Sequence, residues 1–202
     1  MTFVGASFEC IGEGSMITLN SITSQEGIVD GDQIQMAYTD EEGLVHMKGY
    51  EFWDGDGWAD PDSGDIVGDD VGFTLGQAAW FISAEPKSIT MAGGVKKANH
   101  THTFVDPMTI ITSAYPVNFC PNSENVSWGC LDGDQIQVPW CDELGLNHMK
   151  GYEYWDGDGW ADPDSGDILE ADFAVQTAGK GFWFITADPA SVTFSEVSPL
   201  AE

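Results

Sequence analysis

Ten aspartates are the residues of this chain whose type and spacing best suit chemistry. They form two clusters of five within twelve residues each, namely Asp54, Asp56, Asp60, Asp62 and Asp65, and Asp156, Asp158, Asp162, Asp164 and Asp167. Calcium takes six to eight oxygen ligands, and short loops rich in Asp and Gly supply them. Five crowded carboxylates also repel one another in the absence of a counter-ion. The spacing therefore predicts calcium binding at both clusters.

Neither cluster completes a standard calcium loop. With Asp54 at position 1, Trp58 stands at position 5 and Ala59 at position 6, where an EF-hand needs a ligand and a glycine. A shifted frame resembles the D-x-D-G-x-x-D core of thrombospondin-type calcium repeats, but it starts on Phe52, which offers no ligand. The alternative is a solvated turn in which Asp and Gly serve turn geometry and solubility.

Trp58 and Trp160 lie inside these Asp-Gly turns, where a large apolar ring is unexpected. One interpretation is that each ring folds back and covers the core of its own domain. The other is that each ring is exposed and binds a partner subunit or stacks on a sugar ring. The sequence leaves both interpretations open.

Patterns typical of catalysis are weak in this chain. Paired carboxylates suit a glycosidase, but here the same arrangement occurs twice, on turns, with no enclosing cleft. His46 and His148 each precede Met-Lys-Gly-Tyr on a predicted strand, where a lone histidine is usually structural. The chain has no G-x-S-x-G, H-E-x-x-H or phosphate-loop motif. We therefore predict that the protein is not an enzyme.

The four cysteines are Cys10, Cys120, Cys130 and Cys141. No C-x-x-C pair occurs among them, so the sequence does not indicate a zinc ribbon or a thioredoxin-like site. An even count permits two disulfides, and Cys120–Cys130 with Cys10–Cys141 is one of three pairings. Free buried thiols are the alternative.

The aspartates and tryptophans above belong to an internal repeat. Segment 30–66 aligns without a gap with segment 132–168, and 30 of the 37 positions are identical. The flank is less similar, because 67–91 matches 169–194 at only nine of 25 positions, with one inserted residue. This contrast indicates that the central segment keeps a shared role in both copies. We expect that role to involve a metal ion or a neighbouring molecule.

Short apolar segments separated by Gly, Asp and Pro predict strands in both copies. The predicted strands are 2–8, 15–19, 33–38, 45–53, 79–83, 88–91, 109–115, 135–140, 147–155, 182–186 and 191–194. No window favours an amphipathic helix of three turns. The pattern predicts an all-β chain of two tandem homologous β-sandwich or small barrel domains, 1–92 and 108–202. The polar, Gly-bearing segment 93–107 is the predicted linker.

The charge balance restricts the partners of the protein. The net charge is −28, from 34 acidic residues against 6 Lys and Arg in 202 residues. Without a basic patch, the chain is predicted to bind neither nucleic acid nor an anionic membrane surface. No run of about 18 apolar residues predicts membrane insertion. Abundant Trp, Gly and Asp with few Lys and Arg are typical of extracellular β-proteins, which predicts an extracellular or cell-surface location.

Three motifs follow one another in both copies: G-D-Q-I-Q, then an aromatic Y-E-F/Y-W segment with D-G, then W-F-I. This order resembles tandem β-repeat modules of large secreted bacterial surface proteins, which often carry G-x-G-F-W near their last strands. The matching residues are Gly179, Gly181, Phe182 and Trp183, where the first copy has Gly76, Ala78, Ala79 and Trp80. The resemblance implies an extracellular β-module with an architectural or adhesive role.

These observations predict a non-enzymatic, self-assembling extracellular protein, namely a subunit of a filament, sheath or surface layer. Two similar domains give two similar faces, and head-to-tail contact between such faces propagates into a fibre unless rotation closes it. Calcium or salt bridges between subunits would offset the acidic charge. The alternative is a carbohydrate-binding module or adhesin that uses Trp58 and Trp160 to bind a glycan.

Overall fold

The computed structural model describes residues 2–5, 16–24, 27–85, 87–90, 95–102, 104 and 106–200, and the backbone alone for residues 2–5, 23, 24 and 90. Regular structure in these ranges is almost entirely β-strand, which confirms the all-β prediction. Two 3-10 helices, Leu19–Ser21 and Pro189–Ser191, are each three residues long. No helix in the described part of the chain is long and apolar enough to cross a membrane.

Eighteen strands are formed by the described residues. The first nine are β1 (Thr2–Gly5), β2 (Ile17–Thr18), β3 (Thr23–Ser24), β4 (Gln33–Thr39), β5 (Val45–Trp53), β6 (Gly57–Ala59), β7 (Gly72–Phe73), β8 (Ala78–Ile82) and β9 (Ile89–Thr90). The other nine are β10 (His100–His102), β11 (Met108–Ile111), β12 (Val126–Trp128), β13 (Gln135–Cys141), β14 (Asn147–Trp155), β15 (Gly159–Asp162), β16 (Asp167–Ile168), β17 (Phe182–Ile185) and β18 (Phe194–Glu196).

Two large antiparallel sheets repeat one strand order. The first sheet runs β1-β8-β4-β5-β6, and the second runs β11-β17-β13-β14-β15-β16. The register agrees as well, because Ile34 pairs with Phe81 on one side and Tyr50 on the other, and the equivalent residues pair in the second sheet. Smaller sheets are β2-β7, β3-β9 and β10-β18-β12. No sheet among the described residues closes into a barrel.

The strands β4 and β13 show why these segments are extended. Each contains Gln-Ile-Gln, and successive side chains of a strand point to opposite faces of the sheet. Ile34 and Ile136 are therefore fully buried, while the flanking glutamines are half-buried. The preceding Asp-Gly turns use Gly31 and Gly133 at φ of 83° and 88°, a conformation that glycine adopts without steric cost.

Each large sheet contributes to its own aromatic core. The first core consists of Ile17, Leu19, Ile22, Ile34, Trp58, Val67, Phe73, Ala79 and Phe81. The second consists of Phe104, Ile111, Phe119, Ile136, Val138, Tyr152, Trp160, Leu169, Val175, Phe182, Phe184, Val192 and Phe194. Each aromatic ring buries roughly 150–250 Å², so these rings provide much of the hydrophobic stabilisation.

A third, smaller apolar cluster joins the two halves of the chain. Its buried members are Ala78, Ile110 and Trp183, with Ala37, Trp80, Met108 and Ile185 packed against them. Backbone contacts accompany this packing, because the Thr112 N–H donates to the Gly76 carbonyl at 2.9 Å. Gln77 also forms an isolated β-bridge with Ile111. The two halves are therefore in direct contact.

The segment predicted as a linker contains a strand, because β10 pairs with the last strand, β18. His102 of β10 is buried, and its Nε2 lies 2.9 Å from Oε2 of Glu196. Glu196 also accepts hydrogen bonds from Ser113 Oγ at 2.6 Å and Ala114 N at 2.7 Å. The His102 ring stacks on Phe194, with 4.2 Å between centroids. This strand is thus part of the second half rather than a free tether.

Candidate functional site

Each acidic cluster forms two consecutive turns at one end of its large sheet. The first turn joins β5 to β6, where Gly57 has a φ of 96°. The Asp54 N–H donates to Asp30 Oδ1 at 3.1 Å, and Asp156 donates to Asp132 Oδ1 at 3.0 Å. Asp54 and Asp156 are themselves exposed. The geometry of the turns is therefore fixed by bonds within each copy.

A lysine on the neighbouring strand binds two of the five carboxylates in each cluster. Lys48 Nζ donates to Asp60 Oδ1 and Asp62 Oδ2, both at 2.7 Å. Lys150 makes the same two bonds in the second copy, at 2.7 and 2.6 Å. The bond from Lys48 lowers the pKa of Asp60, and the Asp60 and Asp62 carboxylates raise the pKa of Lys48. Each lysine is thus an internal counter-ion, which reduces the repulsion among the aspartates.

The described residues contain no group of three or more His, Cys, Asp or Glu side chains that could hold a metal ion. The described residues include all ten predicted ligands, namely Asp54, Asp56, Asp60, Asp62, Asp65, Asp156, Asp158, Asp162, Asp164 and Asp167. A calcium ion near Asp60 and Asp62 would have to displace the ammonium group of Lys48. Calcium binding by these residues stays a prediction.

The prediction that Trp58 and Trp160 bind a ligand is wrong, because both rings are buried. Trp58 is 2% exposed and Trp160 is 0% exposed. Phe52 packs edge-on against Trp58 at 5.6 Å between centroids, and Tyr154 packs in the same way against Trp160. Both tryptophans lie on strands, β6 and β15, that direct them into the core. The structure therefore agrees with the interpretation in which each ring folds back onto the core of its own copy.

Matching contacts inside each copy account for the near identity of the two central segments. The lysine, its two aspartate partners, the buried tryptophan and the glycines of positive φ recur at equivalent positions. Smaller bonds recur too, because Ser63 Oγ accepts from Asp65 N and Ser165 Oγ accepts from Asp167 N, both at 3.2 Å. These contacts inside each copy are sufficient to explain the similarity.

The ends of two hairpins expose apolar side chains that were not among the predicted site residues. The first tip, on hairpin β4–β5, consists of Tyr38, Leu44 and Met47, and the second tip, on β13–β14, consists of Trp140, Leu144, Leu146 and Met149. Leu144 is 84% exposed and Trp140 is 50% exposed. Exposed apolar clusters often mark protein contacts. Leu144 lies within the turn that Gly145 N closes onto the Asp142 carbonyl, where a polar residue is expected, and Leu44 and Leu146 follow the turn glycines.

A histidine supports each tip. The rings of Tyr38 and His46 stack at 5.4 Å between centroids, and those of Trp140 and His148 stack at 4.7 Å. His148 Nε2 lies 2.8 Å from Asp142 Oδ2, and His46 pairs in the same way with Asp40. The bond to His148 lowers the pKa of Asp142, and backbone N–H donors lower it further. These contacts agree with the structural role predicted for both histidines.

An open groove of about 310 Å³ lies beside the first tip. Its lining residues are Met36, Ala37, Tyr38, Lys48 and Tyr50. A water occupies roughly 30 Å³ in the liquid, so the groove holds on the order of ten waters. It is therefore large enough for an apolar side chain of another molecule.

The cysteines described by the structure are free thiols, namely Cys120, Cys130 and Cys141, and Cys10 lies outside the described residues. Burial raises the pKa of Cys130, and the nearby Asp134 carboxylate, which accepts a hydrogen bond from the thiol, raises it further. A disulfide between Cys120 and Cys130 would remove this donor from a carboxylate that is only 3% exposed. Each of the three predicted pairings needs one disulfide among Cys120, Cys130 and Cys141, so the structure contains none of them and has the alternative of free thiols at these three positions.

The first copy satisfies the equivalent buried carboxylate in a different way. Lys87 Nζ donates to Asp32 Oδ2 at 2.6 Å, and the two side chains are 4% and 2% exposed. The position equivalent to Lys87 is Ala190 in the second copy. The thiol of Cys130 therefore takes over the role of a donor to the buried carboxylate, at a position where the first copy has Ile28.

Comparisons with known proteins place this all-β chain in no established family. No family model, no curated protein and no solved structure matches it. The resemblance to repeat modules of secreted bacterial surface proteins therefore stays a prediction.

Proposed function

We propose that this chain is a non-enzymatic structural subunit, outside the cell, that assembles head to tail into a filament, sheath or surface layer. We also propose that it consists of two tandem β-sandwich domains. Separate aromatic cores and the repeated strand order support the division into domains. The observation that carries the proposed function is that one copy exposes an apolar knob while the other copy has a groove of suitable size.

The knob is Leu144 in the second tip, and the groove lies beside Tyr38 in the first tip. Two complementary surfaces at different places on one molecule form a heterologous contact, which repeats from chain to chain unless it closes into a ring. Leu144 of one chain would therefore occupy the groove of the next. The first copy has Glu42 at the position of Leu144, so the two tips are not interchangeable.

Electrostatic repulsion opposes this contact, so assembly depends on screening of the charge. Lys48 lines the groove, but it is already bound to Asp60 and Asp62, so the exposed Glu143 that precedes Leu144 would meet no free cation there. The net charge of −28 makes whole chains repel one another. Salt screens such repulsion. Calcium is proposed to stabilise the assembly as a screening counter-ion, and assembly should therefore increase with ionic strength.

The proposed contact is weak in each single instance. Burying a leucine side chain gains about 1.5–3 kcal/mol. Association costs roughly 4–15 kcal/mol in lost translational and rotational freedom. Burial of the other apolar side chains of the second tip, Trp140 and Leu146, must supply the remainder. Assembly is therefore expected only at high protein concentration, as in a layer that covers a surface.

Negative-stain electron microscopy and light scattering test the proposed function. In concentrated protein at high salt, the wild type should form extended assemblies, while Leu144→Glu should remain dispersed with an unchanged circular dichroism spectrum. The substitution introduces the residue that the first copy carries at this position. The matched control is Val197→Ser, which changes a side chain that is 44% exposed outside the tips and should leave assembly intact. Equal assembly of wild type and Leu144→Glu would contradict the proposal.

The carbohydrate-binding alternative has no support from its predicted ligand residues, because Trp58 and Trp160 are buried. No other described feature favours it over assembly.

A further inference from the structure

A cavity of about 320 Å³ lies where the two halves of the chain meet, and two histidines of β10 form part of its wall. The rings of His100 and His102 are T-shaped to each other, with 4.6 Å between their centroids. Both rings pack on the turn 74–77 of the first half, because a Cβ atom added to Gly76 would lie 3.2 Å from His100 Nε2 and 2.7 Å from His102 Nδ1. Strand β10 itself pairs with β18 of the second half. The two rings therefore lie at the contact between the halves.

Polar contacts connect four residues at this place, namely Lys96, His100, His102 and Glu196, which we call the histidine junction. Lys96 Nζ lies 3.3 Å from His100 Nδ1. Because an ammonium group can only donate, His100 Nδ1 accepts this bond. On the other side, His102 Nε2 lies 2.9 Å from Oε2 of the buried Glu196. His100 thus has a basic residue on each side, and the one acidic residue of the junction is already bound to His102.

The histidine junction favours the neutral form of His100. Protonation would place a hydrogen on Nδ1, which could then no longer accept from Lys96. Burial, together with the charges of His102 and Lys96, lowers the pKa of His100 from 6.5 to about 4, although the Glu196 carboxylate acts in the opposite direction. Among the described residues that line the cavity, Asp106 is the one other titratable group. A charge on His100 would therefore face two basic neighbours in a partly buried place.

We propose that His100 is an acid-sensitive latch between the two halves of the chain. Protonation of its ring removes the hydrogen bond from Lys96 and places like charges side by side, which releases β10 from the turn 74–77 and from β18. A histidine suits this role because its charge changes near neutral pH and responds to its surroundings. The latch does not depend on the proposed assembly, because none of the four junction residues lines the groove or belongs to a tip.

The pH range of the opening follows from the direction of the pKa shift. When β10 opens, His100 regains its ordinary pKa of 6.5, so the open state binds a proton at pH values where the closed state does not. The closed state has its full stability above pH 6.5 and loses it as the pH falls toward about 4. The opening equilibrium should shift by about tenfold for each pH unit, up to about 300-fold over this interval. Strand β10 is three residues long and lies at the edge of its sheet, so it can open while the rest of the fold stays intact.

Two NMR measurements on the intact chain test the latch. A titration of the His100 ring should have its midpoint at a pH of about 4, and a midpoint near the ordinary 6.5 would overturn the proposal. Amide hydrogen exchange, corrected for the intrinsic rate at each pH, reports the opening of each strand. As the pH falls from 6.5 to about 4, the opening of β10 should increase by up to about 300-fold, whereas the opening of β14 should not follow it. An equal increase in β14 would indicate that the whole chain unfolds in acid and would refute a local latch.

Matched variants separate His100 from the other titratable groups. His100→Gln keeps a side-chain oxygen that can accept from Lys96 but does not titrate, so the increase in β10 opening should disappear. Glu196 and Asp106 are present in the wild type and in the variant, so they cannot cause the difference. His148→Gln changes an exposed histidine beside the second tip and should keep the full increase. A folded His100→Gln variant whose β10 opens with the pH dependence of the wild type would contradict the proposal. If His100→Gln does not fold, the His100 midpoint and the comparison of β10 with β14 in the wild type decide.

Discussion

Replacing Lys87 with methionine removes the cation from a buried ion pair while nearly preserving the volume of the side chain. Lys87 Nζ lies 2.6 Å from Asp32 Oδ2, and both side chains are less than 5% exposed. The Asp32 carboxylate would keep its bonds to Val29 N and to Ser83. Breaking a buried pair by removing one partner costs about 3–5 kcal/mol, because the other charge remains without compensation. Because Asp32 keeps these other hydrogen bonds, we expect a loss of stability near the lower end of this range, about 3 kcal/mol.

The melting temperature converts this energy into a test of the domain division. For a unit of 150–250 residues, 1 kcal/mol shifts Tm by about 2–4 °C, which gives a shift of about 6–12 °C if the whole chain unfolds together. For a unit of 60–100 residues the shift is about 4–8 °C per kcal/mol, which gives about 12–24 °C. If the two copies unfold separately, only the transition of the first copy should move.

The stability that the Lys87–Asp32 pair contributes should decrease as the pH falls. Burial raises the pKa of Asp32, but the bonds from Lys87, Ser83 and Val29 together lower it below the ordinary 3.8. The stability from this pair is therefore fully present above pH 3.8 and is lost as the pH falls through the lower folded value. The difference in stability between wild type and Lys87→Met should be large at pH 7 and should shrink in acid.

Calorimetry and circular dichroism melts at pH 7 and pH 3 measure these effects. Lys180→Met is the control, because Lys180 is exposed and its loss removes the same formal charge. It should leave Tm nearly unchanged. A Lys87→Met variant that melts within about 1 °C of the wild type at pH 7 would refute the assignment of Lys87 as a buried partner.

Three further perturbations test other contacts. Trp160→Ala leaves a cavity in the second core and should lower the free energy of unfolding, measured with denaturant, by about 3–5 kcal/mol. A decrease below about 1 kcal/mol would contradict the burial of Trp160. Cys130→Val leaves the buried Asp134 without its thiol donor and should cost about 1–3 kcal/mol; Cys130→Ser keeps a donor and should cost less, so equal losses would contradict the hydrogen bond. Lys48→Met should raise the NMR-measured pKa of Asp60 toward 3.8; an unchanged titration would contradict the lysine contact.

The strands of the large sheets could be predicted from the sequence because their signals are local. Alternation of apolar and polar residues and Asp-Gly turns predicted 135–140 and 147–155, and the structure has Gln135–Cys141 and Asn147–Trp155. The strand β10 was missed because His-Thr-His is polar and resembles a linker. Its burial depends on Glu196, which is 94 residues from His102 in the chain.

The site predictions were limited by contacts that spacing along the chain does not show. Counting aspartates indicated uncompensated charge, but Lys48 lies on the paired strand twelve residues before Asp60 and supplies the counter-ion. The location of Trp58 on a strand that faces the core, rather than in an exposed turn, required the pairing of β5 with β6. The exposed tips and the inter-half cavity depend on where the cores end, which the sequence does not determine.

A mixing experiment tests most directly whether Leu144 of one chain occupies the groove beside Tyr38 of the next. Leu144→Glu removes the knob, and Tyr38→Ser removes one wall of the groove. At high salt in sedimentation velocity, each variant alone should be a monomer, and the wild type should form long polymers. An equimolar mixture of the variants should form dimers and nothing larger, because one intact knob meets one intact groove. A mixture that stays monomeric, or either variant polymerising alone, would contradict the account.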